Sequence, residues 1–241
     1  MRIIRARDYE HVSQIAANII AAQITLKPDS TLGLATGGTP VGTYKKLVEK
    51  YKNGDLCFAG VTSINLDEYC GLSADSPQSY AYFMNENLFG HVNIKPGNIN
   101  IPDGLAKDAA AECARYDNVV RDNPMDIQLL GIGMNGHIGF NEPACELHLG
   151  SHHVGLTDST IEANKRYFER DEDVPKTAYT VGIGAIMSAK QVLLLASGET
   201  KADILYKALK GRVTTEVPAS LLQLHRDVIV VADEAALGKV E

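Results

Sequence analysis

The stretch MDIQLLGIGMNGHIGFNEP, residues 125–143, decides the fold because a short apolar strand runs directly into a loop with four glycines. Glycines at 131, 133, 136 and 139 are too many for the interior of a helix or strand. Open α/β sheets bind their ligands in such loops, at the carboxyl ends of strands. The stretch therefore predicts an α/β fold with a ligand site after this strand.

Four polar side chains share this loop. His137 can move protons near neutral pH, and Glu142 is placed to orient its ring or pair with its charge. Asn135 and Asn141 add neutral donors and acceptors. An isolated histidine in a tight turn would more often make one structural hydrogen bond, but four polar groups in one glycine-supported turn favour a catalytic role.

Apolar strands alternate with amphipathic helices along the whole chain. The predicted strands are 31–35, 61–66, 126–131, 191–196 and 227–231, and the predicted helices are 8–26, 40–51, 78–89, 105–121 and 199–210. This alternation predicts a parallel sheet covered by helices on both faces, in one domain spanning 1–241. Residues 144–177 are polar and weakly periodic, which fits a lid, or else an ordinary surface excursion.

Composition narrows the classes of partner. The net charge is −7, from 23 Lys and Arg against 30 Asp and Glu, and aromatic residues make up only 6%, so we expect no nucleic-acid partner. No apolar stretch approaches the roughly 20 residues that a membrane span needs. The N-terminus lacks a signal-peptide core, and four cysteines without C-x-x-C spacing are typical of reduced thiols. We expect a cytoplasmic protein.

A second loop follows the first predicted strand and reads Thr36, Gly37, Gly38, Thr39 and Pro40. Thr39 is suited to the N-cap and Pro40 to the first helical position. Free amides at the helix N-terminus, together with the two hydroxyls, make a phosphate cradle, although a plain strand-to-helix turn has the same appearance. The loop is neither a Walker A nor a G-x-G-x-x-G sequence, which counts against ATP and dinucleotides.

An acidic pair, Asp67 and Glu68, follows the strand at 61–66. A partly desolvated carboxylate there can act as a base toward a carbon-bound proton. Acidic pairs also cap the helix that follows them. Asp67 is the better candidate for the base because it comes first after the strand.

Two cations are candidate phosphate ligands, with solvated surface charge as the alternative for each. Lys201 lies in the first turn of a helix, where the dipole disfavours a cation unless an anion binds there. Arg166 is able to clamp a phosphate in a bidentate manner.

Three histidines, His148, His152 and His153, fall within six residues. No carboxylate or thiol around them matches a known ligand spacing, so a solvent-facing segment is favoured over a metal site.

Five stretches taken together resemble the glucosamine-6-phosphate deaminase family, and the similarity continues to LLQLH near the end of the chain. They are LGLATGGTP (32–40), NLDEYCGL (65–72), SYAYFM (79–84), GIGMNGHIGFNEP (131–143) and ANKRYF (163–168). The resemblance implies a modified Rossmann-like α/β fold with a mostly parallel sheet. It also implies conversion of D-glucosamine 6-phosphate and water to D-fructose 6-phosphate and ammonium, without metal or organic cofactor.

The resemblance also implies residue roles. Asp67 matches the base that moves a proton between C2 and C1 through an enolamine, His137 the group that opens the sugar ring, and Glu142 its acidic partner. The family carries Asp or Asn at the position of Asn135, and Asn can orient a partner but not exchange a proton. The 36–39 loop, Arg166 and Lys201 match the phosphate ligands.

Family members activated by N-acetylglucosamine 6-phosphate carry a basic cluster after the FNEP motif and a longer C-terminal tail. Here residues 145–155, CELHLGSHHVG, hold no Arg or Lys, and the chain stops soon after its last predicted strand. We therefore expect no such activation, and a monomer or small homo-oligomer.

Two competing functions fit less well. A 6-phosphogluconolactonase would share the fold but lacks the NLDEY and FNEP signatures. A sugar-phosphate sensor that regulates transcription would need a helix-turn-helix and a basic face, which this sequence does not show.

Overall fold

The computed structural model describes residues 1–165, 168, 170 and 173–240. The helices are α1 (Tyr9–Leu26), α2 (Val41–Lys52), α3 (Tyr80–Asn87), α4 (Ala109–Asp122), α5 (Asp158–Asn164), α6 (Ile183–Ser188) and α7 (Ala202–Lys210). The strands are β1 (Arg2–Ala6), β2 (Thr31–Leu34), β3 (Thr62–Asn65), β4 (Asp67–Tyr69), β5 (Ile99–Asn100), β6 (Ile127–Leu130), β7 (His152–Gly155), β8 (Thr177–Thr180), β9 (Gln191–Ala196) and β10 (Val228–Asp233). Each strand and helix predicted from the sequence is present, with ends that differ by a few residues.

Seven strands form one parallel sheet in the order β1-β10-β9-β6-β2-β3-β5. From β2 the chain proceeds through β3 to β5 at one edge, and from β6 it proceeds through β9 to β10 toward the other. The direction therefore reverses between the neighbouring strands β2 and β6. In open α/β sheets the ligand crevice lies at such a switch point, outside the carboxyl ends of the strands.

The sheet is covered on both faces, as the continuous apolar strands predicted. In β9, Val192 and Leu194 pack into one core, and Leu193 and Leu195 pack into the other. Successive side chains of a strand point to opposite faces, so a strand buried on both sides must be apolar throughout. The first core contains residues of α4, α6 and α7, and the second contains residues of α1, α2 and α3.

A second sheet of three antiparallel strands, in the order β4-β8-β7, was not predicted. Its strands are only three or four residues long, and β7 reads HHVG, so they carry little of the apolar alternation that identifies a strand. Within the range predicted as a lid, 144–177, the structure contains β7, α5 and the start of β8.

The predicted start of α2 is wrong by one residue. The helix begins at Val41 with Pro40 as its N-cap, and no side chain caps it from that position. The hydroxyl of Tyr9, in α1, accepts the amide hydrogen of Gly42 at 2.9 Å instead. A contact from another helix thus takes the place that the sequence assigned to Thr39.

Among the helices of the described chain, none is both long and apolar enough to cross a membrane.

Candidate active site

A cavity of about 540 Å³ opens at the carboxyl ends of β2, β3, β6 and β9, beside the switch point. It brings together most of the residues singled out in the sequence. They are Thr36, Gly37, Gly38, Thr39, Asp67, Asn135, His137 and Lys201, all of which line it. Glu142 is buried and pairs with His137, while Arg166 lies outside the described residues. The predicted clustering of these loops is therefore confirmed for every predicted residue that the structure describes.

Glycines shape the loop after β6, residues 131–142. A Cβ at Gly133 would lie 2.4 Å from Nε2 of His137, so the imidazole packs directly against bare backbone. Gly136 has a φ of +91°, a conformation that L side chains rarely adopt. Two backbone bonds close the turn: Gly133 donates to the His137 carbonyl and Gly136 donates to the Gly133 carbonyl, each at 3.0 Å.

His137 sits in a network centred on the Glu142 carboxylate. Nδ1 of His137 lies 3.3 Å from Oε2 of Glu142, and Nδ2 of Asn135 donates to that same oxygen at 2.7 Å. Oδ1 of Asn135 in turn accepts the backbone N–H of His137 at 3.2 Å. Asn135 thus orients both partners by hydrogen bonds.

The electrostatics of Glu142 favour its ionised form. Burial raises the pKa of this carboxyl, but the hydrogen bond and charge of His137, with bonds from Thr160 and Asn135, bring the pKa below its ordinary value. A carboxylate at Nδ1 of a histidine fixes that hydrogen in place and leaves Nε2 to exchange protons. Asn141 does not join this network, since its amide donates to the carbonyls of Ile138 and Val181.

The two acidic residues after β3, Asp67 and Glu68, lie in different environments. Glu68 accepts the amide hydrogens of Tyr69, Tyr80 and Ala81 at 2.8 to 2.9 Å, so it binds the N-terminus of α3. Asp67 is buried and lines the cavity, and its carboxylate accepts no hydrogen bond from the described residues. Burial, with the nearby charge of Glu68, raises the pKa of Asp67 to about 8. A desolvated carboxylate without a partner of its own is suited to act as a base.

The loop after β2 presents open donors to the cavity. The amide hydrogens of Gly37, Gly38 and Thr39 make no hydrogen bond to the described part of the chain. Tyr9 fixes this loop, because its hydroxyl donates to the Gly38 carbonyl at 3.0 Å and accepts the amide hydrogen of Gly42 in the first turn of α2. Unpaired amides beside a helix N-terminus are suited to an anion.

Lys201 lines the same cavity. It ends the 3₁₀ turn Glu199–Lys201 and is the N-cap of α7, so it lies just before the helix whose first turn was predicted to contain it. Its Nζ donates to the Ile132 carbonyl at 2.7 Å. That bond brings the ammonium toward the loop after β6. The cation therefore faces the same cavity as the open amides.

Five polar residues of the cavity were not identified from the sequence: Tyr9, Tyr80, Thr160, Ser197 and Thr200. Ser197 and Thr200 precede Lys201 in the segment after β9, so their position at a strand end was a usable signal. Tyr9, Tyr80 and Thr160 reach the cavity from helices that are distant in sequence. No local pattern indicates such contacts.

The histidine cluster does not form a metal centre in the described residues. The rings of His148 and His152 lie with their centroids 4.4 Å apart, and Nδ1 of His152 pairs with the Gly150 carbonyl at 3.1 Å. Across the described ranges, no three His, Cys, Asp or Glu side chains are grouped to hold a metal ion.

Comparison with known proteins agrees with this architecture. Residues 7–231 match the family model for glucosamine-6-phosphate isomerases and 6-phosphogluconolactonases. The glucosamine-6-phosphate deaminase of Clostridioides difficile strain 630 is 54% identical over 241 residues, covering 100% of this chain and 97% of that protein. The enzyme of the same name from Clostridium perfringens strain 13 is 53% identical over 237 residues, covering 98% of each chain.

A solved structure of a monomeric glucosamine-6-phosphate deaminase superimposes with a TM-score of 0.96 at 48% identity, covering 99% of this chain and 100% of that one. The chain therefore belongs to the glucosamine-6-phosphate isomerase/6-phosphogluconolactonase family and, within it, to the glucosamine-6-phosphate deaminases.

Proposed function

We propose that this protein converts D-glucosamine 6-phosphate and water to D-fructose 6-phosphate and ammonium. The observation that carries the proposal is the unpartnered, buried carboxylate of Asp67 in one cavity with the His137–Glu142 pair and an open set of amides. Aldose–ketose isomerisation needs a base near a carbon-bound proton, and ring opening needs an acid–base group at the ring oxygen. The full-length similarity to named deaminases supports the same reaction.

His137 opens the ring in this proposal. Glu142 holds the hydrogen on Nδ1, so Nε2 takes the proton from the C1 hydroxyl and returns a proton to the ring oxygen as the C1–O5 bond breaks. Asn135 holds the Glu142 carboxylate and the His137 backbone in position relative to each other and transfers no proton. The product of this step is the open-chain aldehyde.

Asp67 carries the isomerisation. It removes the proton at C2, the electrons form the C1–C2 double bond, and the π electrons of the C1 carbonyl move to O1, which takes up a proton to give an enolamine. Return of a proton to C1 gives an imine at C2, to which water adds before ammonium leaves. The raised pKa of about 8 makes Asp67 a stronger base than an exposed aspartate, and the positive charge of the substrate's amino group favours its ionised form on binding.

The phosphate is held at the other side of the cavity. Its oxygens accept hydrogen bonds from the amides of Gly37, Gly38 and Thr39, the hydroxyl of Thr36 and the ammonium of Lys201, all of which line the cavity. Arg166 is proposed as a further phosphate ligand from the sequence alone. These donors fix the sugar's far end. The reacting carbons then lie between Asp67 and His137, which is how remote binding energy contributes to turnover.

We further propose a single domain over 1–241 that acts as a monomer or small oligomer on a small-molecule substrate in the cytoplasm. The described cysteines are all unpaired. Segment 144–177 is proposed as a lid because its sequence is polar and weakly periodic. Activation by N-acetylglucosamine 6-phosphate is not expected, because residues 145–155 supply no Arg or Lys.

A coupled assay tests the proposed reaction. Purified protein is given glucosamine 6-phosphate, and fructose 6-phosphate is followed through phosphoglucose isomerase and glucose-6-phosphate dehydrogenase, while ammonium is measured separately. We expect both products in a one-to-one ratio. Failure to release either product, with hydrolysis of 6-phosphogluconolactone in a parallel assay, would replace the deaminase by the lactonase function.

A further inference from the structure

Thr160 of α5 makes a hydrogen bond that the proposed reaction does not yet use. Its hydroxyl donates to Oε1 of Glu142 at 2.5 Å, and its side chain is buried. The other oxygen, Oε2, is the one that contacts His137 and Asn135. The carboxylate is therefore held from both sides, with one oxygen bound to the catalytic loop and the other to a helix of the second, antiparallel-sheet region.

The Glu142 carboxylate fixes the direction of the Thr160 hydroxyl, because an ionised carboxylate can only accept hydrogen bonds. Thr157, the N-cap of α5, points its hydroxyl at Thr160 Oγ1 over 3.1 Å and accepts the Thr160 amide hydrogen at 3.4 Å. The Thr157 hydroxyl therefore adds to the bond between Thr160 and Glu142 but is not required for it. The helix cap and the carboxylate thus belong to one chain of hydrogen bonds.

We infer that Thr160 is a positioning residue, which fixes the Glu142 carboxylate so that His137 is oriented for ring opening. This inference rests on the proposed function for the part His137 plays. A buried carboxylate oxygen that loses its donor costs more than an ordinary hydrogen bond, because no water replaces the lost partner. Without the hydroxyl, Glu142 is free to rotate away from Nδ1 or to take up a proton.

The ionisation of Glu142 depends on few groups. In the described structure its carboxylate is bonded to His137, Asn135 and Thr160, of which only His137 is titratable. Asp67 and Lys201 are the charged groups that share the cavity with this network. Loss of the Thr160 bond therefore raises the pKa of Glu142 toward the value that burial alone would give.

Three variants test this inference. Thr160→Val keeps the shape of the side chain and removes the hydroxyl, and Thr160→Ser keeps the hydroxyl and removes the methyl group. Thr157→Val removes the helix cap while leaving the bond from Thr160 to Glu142 in place. Thermal unfolding of each variant reports on the fold, and kcat, KM and the pH dependence of kcat/KM are measured with glucosamine 6-phosphate.

We expect Thr160→Val to lower kcat by about 10- to 100-fold, the range for a hydrogen bond to a charged group, with little change in KM. Asp67 sets the main acidic limb of the kcat/KM profile, so protonation of Glu142 should appear as a second, steeper limb at lower pH. In Thr160→Val this second limb should move to higher pH, because Glu142 is then protonated more easily. Thr160→Ser should restore kcat to within about threefold of wild type, and Thr157→Val should leave the second limb in place. Equal losses in Thr160→Ser and Thr160→Val, or a loss without movement of the second limb, would overturn the inference.

Proton NMR separates this inference from the proposed function. The Nδ1 hydrogen of His137, shared with Glu142, should give a downfield resonance in wild type and Thr160→Ser that is lost in Thr160→Val. This readout needs no turnover, so it decides the role of Thr160 even for a protein that does not deaminate glucosamine 6-phosphate. An unchanged resonance in Thr160→Val would contradict the inference, whereas absence of product from the wild type contradicts only the proposed function.

Discussion

The two loops that flank the switch point differ in whether their hydrogen-bonding groups are already paired within the protein. In the loop after β6, His137, Asn135 and Glu142 are bonded to one another before any substrate arrives. In the loop after β2, the amides of Gly37 and Gly38 have no partner among the described residues. One loop is internally complete, and the other is left open for an anion.

This difference agrees with the roles proposed for the two loops, proton transfer for the loop after β6 and phosphate binding for the loop after β2. Proton transfer depends on angles and distances, so the acid–base groups gain from being fixed in advance by the protein. A phosphate brings its own acceptors, so the amides that bind it must be free of internal partners. The loop after β2 must be held in place while its amide hydrogens stay unpaired. Tyr9 does this, because its hydroxyl binds the Gly38 carbonyl and leaves the amide hydrogens available.

The largest expected effect separates chemistry from binding. Asp67→Asn removes the base and keeps the size of the side chain, so turnover of glucosamine 6-phosphate should fall by about 10²–10⁴-fold. Affinity for the product fructose 6-phosphate, measured by calorimetry, should stay close to that of wild type. Near-full turnover in this variant would remove Asp67 from the role of base.

Glu68→Gln is the matched comparison for that variant, since it changes the neighbouring acid to an amide. Glu68 binds the N-terminus of α3, so Glu68→Gln should lower the thermal unfolding temperature. Its loss of kcat should be much smaller than that of Asp67→Asn. A kcat loss in Glu68→Gln as large as that in Asp67→Asn would mean that the two carboxylates share one role.

Phosphate binding by the loop after β2 is tested by removing the phosphate from the substrate or the cationic side chains from the protein. Glucosamine without the 6-phosphate should be a very poor substrate, because remote binding energy positions the reacting carbons. Lys201→Ala and Arg166→Ala should each raise KM by about 10- to 100-fold, the range for hydrogen bonds to a charged group. Steady-state kinetics on both substrates check this, and equal efficiency on glucosamine and its 6-phosphate would rule out the cradle.

Much of this site could be predicted because its parts follow buried strands. Each of these residues follows a predicted strand, and the carboxyl ends of parallel strands meet at one edge of the sheet, so Gly37, Asp67, His137 and Lys201 were expected together. Asp67 was favoured over Glu68 because it comes first after the strand, and Asp67 is the one of the two that lines the cavity.

The contacts that cross between distant segments could not be predicted. Tyr9 contacts the loop after β2 from α1, and Thr160 contacts Glu142 from α5. Each contact depends on how a helix packs against a loop that is distant in sequence, rather than on local spacing. The cap of α2 was misplaced for the same reason, since Tyr9 accepts the Gly42 amide hydrogen. Periodicity reports which face is buried and does not report what covers it.

A moderate effect on stability is expected from the burial of Asp67. Its pKa is about 8 in the folded protein and near 3.9 in the unfolded chain, so the folded state favours the protonated form. The stability contributed by that proton is present below about pH 4 and is lost as the pH rises through about 8.

Asp67→Asn cannot lose a proton, so it should unfold at nearly the wild-type temperature at pH 4 and at a higher temperature at pH 9. Each kcal/mol corresponds to about 2–4 °C for a chain of this size. Calorimetric scans at the two pH values check this, and a variant less stable than wild type at pH 9 would contradict the burial of an unpaired carboxylate.

The smallest expected effect is the response to N-acetylglucosamine 6-phosphate. Activation requires a second site whose ligand distinguishes two states, and residues 145–155 supply only histidines as possible cations. Burial lowers the pKa of His152, which opposes its becoming a cation. Initial rates at pH 7.5 should be hyperbolic with and without the compound, and sigmoidal rates that become hyperbolic on its addition would show an activator site.

The central claim is that a carboxylate in this cavity moves a carbon-bound proton, and the fate of the hydrogen at C2 tests it most directly. Glucosamine 6-phosphate carrying deuterium at C2 is converted by the wild-type protein, and the sugar product is analysed by NMR and mass spectrometry. The account predicts fructose 6-phosphate, in which C2 has lost its deuterium and has become a carbonyl carbon. Release of ammonium with an aldose product that keeps the deuterium at C2 would contradict it.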